Sequence, residues 1–61
     1  MLELRQRLRA RGLSNEEIGN IVNQVIERKR IIETETMDSY FAAWRAIKEI
    51  TGINIQLEET V

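Results

Sequence analysis

Sixty-one residues with a formal net charge of −1 and neither cysteine nor histidine fit one small domain. They exclude the disulfides and the tetrahedral zinc, haem and iron–sulfur sites that commonly staple small chains. The 9 basic and 10 acidic residues are neither the balance of a typical nucleic-acid binder nor that of an acidic disordered tail.

A domain of this size buries only about 60% of the surface that its unfolded chain exposes. Its stability must therefore come from tight helix packing or from a second chain. The 43% hydrophobic residues can supply either, so self-association is expected. No run approaches the roughly 18 apolar residues that span a bilayer. Met1-Leu2-Glu3-Leu4-Arg5 lacks the apolar core of a signal peptide. These absences lead to the expectation of a cytoplasmic protein with no membrane partner.

With no proline and three glycines, long stretches are free to be helical. The first helix is expected over about residues 2–11, with Met1, Leu4 and Leu8 on one stripe. Gly12 supplies the left-handed residue that ends many helices, and Leu13 can fold back on Leu8. Ser14-Asn15-Glu16-Glu17 then has the capping-box form, with Leu13 and Ile18 placed as a hydrophobic staple around it. A second helix is expected over 15–33, its apolar face made of Ile18, Ile21, Val22, Val25, Ile26 and Ile32. Lys29 falls inside that face as a snorkelling residue, and Ile31 lies outside it as a spare apolar side chain.

Glu33 to Ser39 breaks the pattern with residues that favour caps and turns. A turn is expected near 34–37, although the apolar stripes on either side run nearly in phase and also suit one unbroken helix. Thr36 or Asp38 can cap a third helix over about 37–51, ended by Gly52. Its inward face is expected to hold Tyr40, Ala43, Trp44, Ile47 and Ile50, with Met37 and Phe41 at the edge. Ile53-Asn54-Ile55-Gln56-Leu57 alternates with period two, as a half-buried strand does. That tail, 53–61, either lies on the helices or pairs with another chain, and its last four residues are expected to fray. The expected fold is all-α: a short helix, a long amphipathic helix and an aromatic-bearing third helix, with an extended or β-like C-terminal tail.

The chemistry-bearing residues argue against catalysis. Without histidine or cysteine, the usual general base and the thiolate nucleophile are missing. Ser14 is occupied as a cap, and Ser39 has no evident base. Glu33, Glu35 and Asp38 do not have the spacing of a calcium loop, and a solvated capping turn accounts for them. The glycines are too scattered to cradle phosphate. No enzyme activity, cofactor or metal is expected.

Arg5, Arg7, Arg9 and Arg11, with Glu3, give the first dozen residues a net charge of +3. On the wheel they flank the apolar stripe on both sides rather than forming one basic face, which suits a packing seam better than a phosphate track. Glu16 and Glu17 would meet phosphate with like charge if the second helix entered a groove. Tyr40, Phe41 and Trp44 are the only aromatic residues and can serve a core or an interface.

The expectation is a non-enzymatic protein-interaction or regulatory module, self-associating and docking an apolar helical face onto a protein partner. Its interface residues would be Ile31, Met37, Phe41, Trp44, Ile53 and Ile55. The alternative is a dimeric nucleic-acid-binding regulator that uses Arg5, Arg7, Arg9 and Arg11.

Overall fold

The computed structural model describes residues 2–55 and is all-α, with α1 (Leu2–Ala10), α2 (Asn15–Thr36), α3 (Ser39–Thr51) and a non-helical segment running on to Ile55. Met1 and residues 56–61 of the expected tail lie outside the described residues.

In α1, Leu4 and Leu8 stand one turn apart and are both buried, as i and i+4 positions on one helix face should be. The helix closes where Leu13 N–H donates to Leu8 O at 3.4 Å and Gly12 N–H donates to Arg9 O at 2.9 Å. Gly12 takes φ +90 at that point, a backbone conformation that costs glycine little.

Ser14 starts α2 with a complete capping box. Glu17 N–H donates to Ser14 Oγ at 3.2 Å, and Ser14 N–H donates to Glu17 Oε1 at 3.0 Å. The backbone N–H of Ser14, followed by its hydroxyl, holds the Glu17 carboxyl below its ordinary pKa. Leu13 packs against the core that contains Ile18.

The helix runs three residues past the expected end at 33 because its threonines do not compete with it. Thr34 Oγ1 donates to Ile31 O at 2.6 Å and Thr36 Oγ1 to Ile32 O at 3.2 Å. With their hydroxyls turned onto their own helix, these residues lose the turn-forming bonds that otherwise make them helix breakers.

The break falls at Met37–Asp38. Met37 is left-handed, with φ 57 and ψ 20, and its N–H reaches back to Glu33 O at 2.8 Å. Asp38 caps α3 by accepting Phe41 N–H on Oδ1 at 3.0 Å. This two-residue connection folds α3 back along α2 as a helical hairpin. Arg28 spans the pair, donating through Nε and Nη2 to the two carboxylate oxygens of Glu49 at 3.3 and 3.1 Å.

The inward face of α3 differs from the expected one. Ala42 and Ala46 are fully buried beside Ile47, whereas Tyr40 is 53% exposed and Trp44 is half-buried. Two alanines spaced by four residues let the helix backbones approach closely, and the rotation that seats them swings the rings outward. Across the seam, Ile18, Val22, Val25 and Ile32 are buried. Ile26, expected inward, is instead 41% exposed.

The tail requires a second correction. Ile53 and Ile55, expected at an interface, are 4% and 2% exposed and belong to the core, while Asn54 between them faces outward. The alternation is that of an extended segment lying on helices. Among the described residues there is no strand, so the β-like expectation is not met there. Ile53 N–H donates to Thr51 Oγ1 at 3.1 Å, and Trp44 Nε1–H donates to Asn54 Oδ1 at 2.7 Å. These two bonds tie the segment to α3. The two isoleucines join the core cluster formed by the three helices.

Candidate protein-docking surface

The interface residues expected from sequence do not form one patch. Phe41 and Trp44 do come together on α3, with ring centroids 5.8 Å apart and planes tilted by 40°. Lys48 Nζ sits 5.1 Å from the Trp44 ring centroid, within cation–π range. Together with Arg45 and Glu49, these residues line a shallow depression. Ile31 is exposed in a different hollow, beside Asn23, Gln24, Glu27, Arg28 and Ile50. Met37 projects from the connection between α2 and α3 and is 89% exposed. The indole N–H of Trp44 is already committed to Asn54, so this ring also holds the tail in place.

The best-formed concavity was not anticipated. It is an open hollow of about 430 Å³ lined by residues from all three helices and by Ile55. Leu4, Ile47 and Ile55 are buried and make its floor. The half-exposed Ala43 lies beside them, and the exposed Ile26 and Tyr40 stand at the rim. Charge is confined to Glu3 on α1 and to Lys29 and Arg30 on α2. Lys29 pairs with Glu33 at 3.2 Å and Arg30 with Glu27 at 3.5 Å, both within one helix turn. No ion pair among the described residues engages Glu3.

The sequence carried two signals of this site. Lys29 interrupts the apolar stripe of α2, and Ile26 sits at that stripe's edge. Their meaning depended on how α3 rotates, which the wheel by itself misassigned.

The three arginines of α1, Arg5, Arg7 and Arg9, and Arg11 just beyond it are all exposed. Arg9 Nη2 donates to Asn15 Oδ1 at 2.7 Å, and Arg11 Nη1 donates to Thr51 O at 3.4 Å. The second contact sets a cation at the C-terminal end of α3, where the helix dipole favours it. Arg5 and Arg7 have no ion pair among the described residues. The structure thus gives two of the four local structural partners and leaves two facing solvent.

On the opposite flank of the hairpin, the forked Arg28–Glu49 pair is joined by Arg45 Nε at 3.7 Å from Glu49 Oε2. The Arg28 hydrogen bonds hold the Glu49 carboxyl below its ordinary pKa, with the charges of Arg28 and Arg45 adding to the effect. Charge bridges the two helices on this flank, whereas the hollow's floor is apolar.

Among the described residues, no three Asp or Glu side chains gather as a metal site. Among those residues too, no buried side-chain nitrogen or oxygen lacks a hydrogen-bond partner. No described helix is long and apolar enough to cross a membrane. Comparison with known proteins yields no relative: no family model, curated protein or solved structure matches the chain.

Proposed function

We propose that this chain is a non-enzymatic interaction module that docks an apolar helical surface onto protein, copies of itself included. The observation that carries the proposal is the 430 Å³ hollow, with core residues as its floor and exposed Ile26 and Tyr40 at its rim. The apolar contact it offers a partner comes from exposed Ile26 and Tyr40 and half-exposed Ala43, held over a floor of packed core. Large apolar anchors entering such pockets dominate the energy of protein interfaces. Exposed Ile31, Met37 and Phe41, with half-buried Trp44, add apolar surface away from the hollow. The non-enzymatic part of the reading rests on the lining, whose titratable groups are Glu3, Lys29, Arg30 and Tyr40. The hollow's hydroxyls, on Ser39 and Tyr40, make no hydrogen bond to Glu3, Lys29 or Arg30 among the described residues, whereas acyl or phosphoryl transfer needs a nucleophile held by its base.

The test is a photo-crosslinking side chain at position 40, carried by the full chain in the cells that make it. Protein adducts are expected, and they should disappear with Ile26→Asp while far-UV circular dichroism stays unchanged. Absence of protein adducts, or adducts indifferent to Ile26→Asp, refutes the proposal.

A further inference from the structure

We infer that the occupant of the hollow is a second copy of the chain, packed about a two-fold axis that sets each copy's Glu3 against the other's Lys29 and Arg30. The inference rests on the docking reading above and names its partner.

Charge supports it first. The rim carries one carboxylate, on α1, and two cations, on α2. In an isologous interface residue i meets j wherever j meets i, so such a rim is complementary to itself. A packing whose axis ran along Glu3, Lys29 and Arg30 alike would set like charge against like, and like charges across an interface are strongly disfavoured. Charge therefore disfavours that alignment and favours one that crosses it. The existing partners of Lys29 and Arg30 do not prevent it, since exposed pairs within one helix turn are weak and their cations can be shared. Glu3, with no ion pair among the described residues, has the most to gain.

Size and net charge point the same way. A chain of 61 residues with no cysteine gains from association what it cannot obtain from disulfides. At a net charge of −1, two copies approach with little repulsion. A standard interface buries roughly 800 Å² on each partner, about a sixth of this chain's 4587 Å². An interface of that size takes in the hollow together with exposed surface around it, and leaves most of the chain uncovered.

The test uses the purified full-length chain in sedimentation equilibrium over a dilution series. The expected mass at high concentration is twice the 7.2 kDa of one chain. Glu3→Lys, and separately Lys29→Glu with Arg30→Glu, should each raise the dimer dissociation constant at least tenfold without loss of helicity. Mixing the two variants should restore the mass. In the mixture one contact keeps the native signs, and the other has both signs reversed. A single chain carrying all three substitutions should also dimerise.

Two results overturn the inference: variants as dimeric as the native chain, or a mixture that stays monomeric. So does a native chain that is monomeric at every concentration. If adducts from position 40 persist in cells in that last case, the docking reading stands and the partner is a different protein. If the monomer instead loses stability with Leu57→Asp, the occupant belongs to the chain's own final residues.

Discussion

Met37 offers the cleanest separation of backbone strain from side-chain contact. It is the only described residue other than glycine with positive φ, at 57, and a left-handed conformation costs a residue bearing a Cβ roughly 1–2 kcal/mol. Its side chain is 89% exposed, so removing it forfeits almost no burial. Met37→Gly should relieve the strain and cost about 0.5–1 kcal/mol of additional unfolded-state entropy. The net gain lies between about 0 and 1.5 kcal/mol with a midpoint of about 0.75, equivalent at that midpoint to a rise in Tm of about 3–6 °C for a domain this small. Thermal melts by circular dichroism at one fixed, dilute concentration would read it.

Two companions frame the result. Met37→Ala keeps the Cβ and should move Tm by little. Gly52→Ala, at φ +73 with open space around the added carbon, should lower Tm by a similar amount through strain alone. A Met37→Gly chain that melts at or below the native temperature refutes the reasoning. A chain that is more stable but associates less would show that methionine stands here for contact, since strain retained without structural need commonly marks functional positions.

Other outcomes follow from the same geometry. Ile55→Ala should cost about 2–5 kcal/mol as a buried large-to-small change and shift Trp44 emission to the red as the tail loosens; an unchanged urea midpoint would put Ile55 outside the core. Glu17 and Glu49 have folded pKa values below their ordinary 4.5. The stability they contribute is therefore present above about 4.5 and is lost as pH falls through the lower folded values. Tm should decline on acidification through that window, and Glu17→Gln with Glu49→Gln should flatten the decline; equal slopes would contradict the assignment. Fluorescence anisotropy with random duplex DNA at low salt should show no binding. Steeply salt-dependent binding that is lost with Arg5→Gln and Arg7→Gln would instead favour nucleic acid over protein as the partner.

The residues that proved hardest to place are those whose role depends on a neighbour distant in the chain. Ile53 and Ile55 alternate as an edge strand would, and their pattern is equally that of an extended segment covering helices. Only their burial in the helical core distinguishes the two. Tyr40 and Trp44 look like the natural filling of a small core, yet the seam is narrow enough for alanine at 42 and 46, and the rings were displaced. The local signals of the hollow, Lys29 and Ile26, do not define it, because its floor is assembled from α1, α3 and the tail, and its charges from α1 and α2.

What the amino-acid order determined by itself was the set of local decisions. It specified an all-α chain, the cap at Ser14 and the stops at Gly12 and Gly52, and left a turn near 34–37 and one unbroken helix as alternatives. Each depends on hydrogen bonds and side-chain periodicity within about four residues. The tertiary structure decided which face of each helix turned inward and which apolar residues were left over at the surface. Those outcomes are settled by volume and close packing between segments far apart in sequence, where a small residue can displace a large one from the core.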